Sequence, residues 1–408
     1  MKFTQKLIFS WCLKKWSNSK SFHISATFPS TIVQSEFINS CKEPSRECIL
    51  RICDECDKVE NIAKVVREQA LHALPASFSS SSEPVPEEVS DFFQERIEFK
   101  QWKSTDRAEL ATEICSRSEL ITNAAKQIHR LISHDFVARE QSLYLKKAKS
   151  SLDTTKVIAI MDFSMNYSCV VQDAVQSYHW SRKEVTLHPV VVYHYNAEID
   201  AVDHFTLCFV SDDLVHDVPM VTVIEKKMSA FVTDRLPSVE EIEYMTDGCA
   251  AQYKKKGIFL NLCRHKYRFG LKARHSFFAT SHGKSTSDAA GGTIKRTVTD
   301  HCMRHPLEGQ ILNAQQLFEF CKQHLSKKIH FEFVEKQEVD DERHEYKPQD
   351  IITVPGTRSF HFFIPLSSKE ILFQTRCKAC VTLMLILHLP FQTIRWAANS
   401  LVRMRTSR

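Results

Sequence analysis

Glycine is scarce in this chain: eight in 408 residues, none of them before Gly248. Glycine serves where a backbone turns tightly or comes close to a ligand, so the stretch punctuated by Gly248, Gly257, Gly270, Gly283 and the Gly291–Gly292 pair is where a site is sought first. Acidic residues are missing from positions 1–35; one reading of that start is a mitochondrial presequence, the other an irregular leader. No small-residue cleavage pattern follows the first apolar run, which argues against secretion. The 14 cysteines are therefore expected reduced or metal-bound in the cytosol or nucleus. Long apolar runs are also lacking. The strongest, Ala379 to Leu387, falls far short of the ~20 residues that cross a bilayer, so no membrane partner is expected. There are no internal repeats.

What remains is ordinary for a globular protein: 43% apolar and 25% charged residues, with a net charge of +5. That charge permits a nucleic-acid partner without arguing for one, because clustering matters more than the total.

Along the chain, residues 1–40 read as a leader and 41–74 as a cysteine-rich module with a helix. Residues 75–90 read as a Ser/Pro linker and 91–150 as a helical region with a short strand at 96–102. Within that region Leu110, Ile114, Ile121, Ala125 and Ile128 recur every three or four residues, which predicts one or two helices over 106–148. From 151 the texture changes. Strands are expected at 157–161, 167–172, 188–195 and 205–210, then a helix at 217–233, a strand at 241–245, a helix at 249–265, a strand at 276–280 and a helix at 287–305. Three strands followed by alternating helices and strands is the order of an RNase H-like α/β fold, a mixed sheet flanked by helices, assigned here to 151–310. Residues 311–366 read as an α+β extension and 367–408 as a basic and apolar tail.

Asp162 closes the first of these strands, Asp247 closes the strand after the first helix, and Asp288 opens the last helix. Hard carboxylate oxygens of this kind hold Mg²⁺ or Mn²⁺, and the fold order would bring the three together as catalytic metal ligands. Each taken alone is equally a turn residue or a helix cap. Asp212, Asp213 and Asp217, with His216, form a second acidic group, read first as a helix cap and second as an auxiliary metal ligand. Lys254, Lys255, Lys256, Lys295 and Arg296 are candidate phosphate contacts, accompanied by Arg264, Lys266, Arg268, Lys272 and Arg274. His282 and Lys284 flank Gly283 and are read either as phosphate contacts or as residues of a solvated turn. Cys41, Cys48, Cys53 and Cys56 offer four thiolates within sixteen residues, enough for a structural Zn²⁺ or merely a set of unrelated thiols.

The strings MDFSMNYS, QDAVQSYHW, TLHPVVVYH, SDDLVHD, TDGCAAQYK, FFATSHGK and GGTIKR resemble a family of transposable-element-derived proteins of invertebrates and fishes, over about Cys41 to Pro365. That family is similar to DDE-type transposases with an RNase H-like core. The resemblance implies Asp162 and Asp247 as the first two acids, Asp288 as the third, DNA as partner and the nucleus as location. Two departures stand out: Met165 where the family has Glu, and Ser285 and Ala289 where it has glycines flanking the last acid. They point to a decayed or domesticated copy. The alternative expectation is a DNA-binding protein of the same descent without turnover. The oligomeric state is not legible in the sequence.

Overall fold

The computed structural model describes residues 53, 60, 62–64, 66–67, 86–104, 108–171, 183–249, 251–278, 286–305, 309–347, 360–367, 370–374, 384–388 and 394–397. The chain divides into two compact units, Met1–Arg139 and Glu140–Arg408.

In the first unit, helix α1 (Pro86–Gln94) leads into strands β1 (Arg96–Ser104) and β2 (Ala108–Ser116), paired antiparallel, and then into the long helix α2 (Arg117–Ser150). This corrects two expectations. The helix begins inside the proposed Ser/Pro linker, with Pro86 at its first position, where a missing N–H costs nothing. Residues 108–116 form a strand, not a helix. Leu110 and Ile114 stay exposed there, so their helical spacing reflected no buried face. Phe93 and Ile121 pack with Ala63, Val66 and Phe92 as this unit's small core.

The second unit, which α2 enters at Glu140, continues with β3 (Lys156–Met161), β4 (Ser164–Ser168), β5 (Glu184–Asn196), β6 (Ala201–Ser211), α3 (Val218–Arg235), β7 (Glu241–Thr246), α4 (Lys256–Phe269), β8 (Lys272–Phe277), α5 (Thr286–Arg304), α6 (Ala314–Leu325), β9 (His330–Val334), α7 (Lys336–Glu345), β10 (Phe362–Ser367), β11 (Glu370–Gln374), β12 (Met384–His388) and β13 (Ile394–Ala397). Among the described residues these strands make one mixed sheet in the order β13-β12-β11-β10-β8-β7-β3-β5-β6-β9, with β4 pairing to β5. At its centre β5 runs antiparallel to β3 and β6, whereas β7 runs parallel to β3 and β8 parallel to β7.

The sheet is covered on both faces, which is why β3 reads as the unbroken apolar run Val157–Met161. Alternate residues serve opposite faces. Val157, Ala159 and Met161 pack with Val221, Ile224, Met228 and Val232 of α3 and with Ile258, Phe259 and Leu262 of α4. Ile158 and Ile160 instead meet Met245 and the α2 residues Leu145 and Ala148. Further along that second face, Ile294, Val298 and Cys302 of α5 and Leu317 and Cys321 of α6 cover Val185, Leu187, Cys208 and Val210.

Several local readings needed correction, the second strand among them, which spans Ser164–Ser168 rather than 167–172. Residues 251–255 turn rather than open a helix, because the Tyr253 and Lys254 N–H groups both donate back to the Cys249 carbonyl; α4 then runs from Lys256 to a left-handed Gly270. Strand β8 starts at Lys272, earlier than expected, since its charges are paired across the sheet: Arg274 meets Glu241 and Glu243. Helix α7 was not expected at all. It carries one buried apolar residue, Val339, and is held instead by ionic contacts along its polar face.

Of the four cysteines proposed for Zn²⁺, only Cys53 is among the described residues; Cys41, Cys48 and Cys56 lie outside them. Among the described residues, no helix is long and apolar enough to cross a membrane.

Candidate functional site

The geometry begins with strand register. Lys156–Ile160 of β3 pair in parallel with Glu241–Met245 of β7, the last matched pair being Ile160 and Met245. Asp162 and Asp247 each stand two residues beyond that pair. Two acids 85 positions apart therefore leave the same end of neighbouring parallel strands. The Asp162 N–H donates to the Pro189 carbonyl of β5, and the Asp247 carboxylate accepts from the Cys249 N–H at 3.1 Å, so both strand ends are pinned.

Asp288 is the third residue of α5, inside its first turn rather than at its N-cap, where a carboxylate also suits the helix dipole. Gly291, one turn on, lets α5 lie close to the sheet. A Cβ there would stand 3.1 Å from Ser164 Oγ and 3.5 Å from Pro189 Cγ, both beside the Asp162 strand end.

The three acids sense one another. Burial, then the charge of Asp247, then that of Asp288 push the Asp162 carboxyl up to about 7. Asp247 is also pushed up, first by burial, against the opposing pull of the Cys249 N–H and Lys254. Nothing in the pairwise spacing of the sequence showed this mutual field. It arises because β3 and β7 end, and α5 begins, near one another.

A consequence follows for stability without divalent ions. Asp162 holds its proton more tightly folded than unfolded, so the stability tied to that proton is complete below about pH 4 and lost as pH rises through about 7. The melting midpoint should fall between pH 5 and 8, and Asp162→Asn should flatten that fall. Parallel pH profiles for the wild-type and the variant would count against this field.

Beneath the acids lies a floor of aromatic and imidazole rings that sequence reading missed. Phe163, next to Asp162, stacks on His216 at 4.1 Å with an interplanar angle of 13° and meets His188 edge-on at 4.4 Å. Fully buried Tyr253 shares a hydrogen bond with His188 Nε2 at 2.8 Å. Burial pushes His188 down to about 3, which keeps its ring neutral. On the other side, Thr246 donates its hydroxyl to the Asp247 carbonyl and so accepts from His275 Nε2 at 2.9 Å. The available signal was polar rings inside otherwise buried strands, as in His188-Pro-Val-Val-Val.

The second acidic group has a structural use. Asp217 caps α3 by accepting from the Met220 N–H, and Asp213 and Asp217 both clasp Arg343 of α7. His216 sits between these two acids and is stacked on Phe163, so the clasp backs the ring floor.

The expected phosphate contacts separate. Lys254 is buried, only 8% exposed, and is not part of a phosphate-binding surface. Lys295 donates its ammonium to the Met165 carbonyl. Arg268 and Arg274 are tied to Glu342 and Glu241. Lys255 and Lys256 are half-buried at the start of α4, and Arg296 is exposed on α5. His282 and Lys284 lie outside the described residues.

Hard carboxylates that repel one another at converging strand ends have the donor chemistry for Mg²⁺ or Mn²⁺. As they stand they do not close on one point: among the described residues no group of three or more His, Cys, Asp or Glu side chains is placed to hold a metal ion.

No curated protein and no solved structure matches this chain. Residues 141–376, which carry the mixed sheet from the end of α2 through β11 and all three acids, match the family described as Domain of unknown function (DUF8701), and the chain belongs to that family.

Proposed function

We propose that this protein is a transposase-like enzyme with an RNase H-like core, in which Asp162, Asp247 and Asp288 hold Mg²⁺ or Mn²⁺ for cleavage or strand transfer of nuclear DNA. The observation that carries the reading is the shared field: the charges of Asp247 and Asp288 both raise the proton affinity of Asp162. The sheet order supports it, with β3, β5 and β6 antiparallel, β7 and β8 running parallel to β3, and Asp162 and Asp247 just past matched strand ends.

Divalent ions, if held there, would activate the attacking oxygen and stabilise the leaving one. The chain's own groups do the rest. The Cys249 N–H fixes the Asp247 carboxylate, and the Pro189 carbonyl fixes the backbone at Asp162. Lys255 at the N-cap of α4 and Arg296, exposed midway along α5, supply positive charge for phosphates. Met165, 85% exposed just past Asp162, stands where the resembling family has a carboxylate, so one potential ligand is absent from this copy.

Incubating the purified full chain with duplex DNA tests the reading: strand breaks should form with Mg²⁺ or Mn²⁺ and stop when EDTA is added. A second reading is DNA binding without turnover, which fits the lack, among the described residues, of a group of three or more His, Cys, Asp or Glu side chains placed to hold a metal ion. Salt-dependent DNA binding with no cleavage under any divalent ion would select it.

A further inference from the structure

Strands β1 and β2 form a sheet of two strands, and among the described residues no further strand pairs with either outer edge. A two-stranded ladder is marginal unless it packs on something or gains strands. The nine residues of β2 leave an open edge about 30 Å long. Its two faces differ. Ala111, Glu113 and Cys115, on the face shared with buried Phe99, are half-buried, whereas Leu110, Thr112 and Ile114 on the opposite face are exposed. Leu110 is 40% exposed and Ile114 58%. Open edges are usually protected by lysine or proline, and β2 carries neither. Its acid Glu113 is paired with Lys103 of β1.

The exposed residues have a symmetry that identifies their partner. Leu110 and Ile114 stand two positions either side of Thr112. When the strand meets a copy of itself antiparallel and centred on Thr112, Leu110 lies opposite Ile114, Ile114 opposite Leu110 and Thr112 opposite Thr112. In that register Glu113 faces Ala111 and Glu109 faces Cys115, so no acid stands directly across from another acid. We propose that β2 is the pairing edge of a homodimer, in which two copies join β2 to β2 about a two-fold axis through Thr112 and form one four-stranded antiparallel sheet. The two apolar cross-strand pairs then bury the side chains that each copy exposes alone. A contact of this kind is self-complementary and closes at two copies. It uses none of the acids proposed for catalysis and stands or falls apart from them.

The test is sedimentation equilibrium of the full chain, for wild-type, Leu110→Lys, Ile114→Lys and the double variant Leu110→Lys, Ile114→Glu. The wild-type should sediment as two chains. Each single lysine should raise the dissociation constant of the dimer at least about tenfold, because the two-fold axis places every substitution in the contact twice. The double variant should recover the dimer, since the new cation of one copy faces the new anion of the other. Within one strand those two positions are about 14 Å apart and do not pair with each other. A Thr112→Cys protein should form a disulfide-linked dimer on mild oxidation, because Thr112 meets its own copy and facing strand positions lie within disulfide reach. Mass spectrometry of the linked peptide separates that bond from any made by the native cysteines. A wild-type monomer overturns the proposal, as does a dimer that both single lysines leave unchanged. A double variant no better paired than the singles, or a Thr112→Cys protein that does not link at that position, overturns the two-fold register. A melting curve on each variant establishes that it is folded; if a lysine variant is not, the Thr112→Cys link decides.

Discussion

Replacing Asp247 by Asn should lower divalent-ion-dependent DNA cleavage by about a thousandfold or more, equivalent to roughly 4 kcal/mol of activation barrier. Asparagine keeps an oxygen that can accept the Cys249 N–H, so the loop after β7 keeps its anchor. What disappears is the charge that a divalent ion needs and that raises the proton affinity of Asp162. DNA binding without divalent ions should hold or strengthen, since one negative charge fewer repels the phosphates. The variant thus separates turnover from binding. Asp162→Asn should behave in the same way, and Asp300→Asn, on an exposed part of α5, should leave cleavage intact. Cleavage that survives both Asp162→Asn and Asp247→Asn would end the assignment of these acids.

The second large effect concerns folding. Arg343 of α7 bonds Asp213, Asp217 and Asp340, and the Asp213 side chain is 2% exposed. Burial by itself would push Asp213 up, but the hydrogen bonds and charge of Arg343 outweigh it and hold the carboxyl below its usual range. Removing the arginine leaves a buried carboxylate without its main partner, which typically costs about 3–5 kcal/mol. Arg343→Met should therefore lower the melting midpoint by roughly 10 °C at pH 7. Adding Asp213→Asn to that variant should recover a good part of the loss, because the stranded charge is gone. The pH dependence has a definite sign. A carboxyl held low stabilises the fold above its unfolded pKa, and that contribution is lost as pH falls through the folded one, so wild-type and Arg343→Met should converge as pH falls below the usual carboxylate range. A loss of less than a degree at pH 7 would show that the clasp is ornamental. Because His216 lies between Asp213 and Asp217 and stacks on Phe163, loosening the clasp should also disturb the floor under Asp162.

Local pattern sufficed for the central elements. The apolar run Val157–Met161 of β3, the His188–Val192 run of β5 and the Asp217 cap of α3 are determined by burial on both faces and by capping chemistry, and the sequence shows them directly. So are the three acids as candidates, since each stands at the end of a readable element. The elements that the sequence obscured are held by distant partners. Ala108–Ser116 looks helical and becomes a strand through its ladder with Arg96–Ser104. Strand β8 hides Arg274, which finds its partners Glu241 and Glu243 only across the sheet. Helix α7 has no apolar period to read; its place is set by Arg343 reaching residues 126 and 130 positions earlier in the chain.

The site divides along the same line. Its residue types belong to the sequence: three aspartates, a lysine run and a few glycines where the backbone crowds. Which lysine sinks beside Asp247 and which stay outside was decided by the turn at 251–255, which carries Tyr253 and Lys254 inward together. The mutual field of the acids was likewise decided by tertiary structure alone. Electrostatic coupling depends on distance and burial, and neither exists until parallel pairing of β3 with β7 and the close approach of α5 at Gly291 bring these strand and helix ends together.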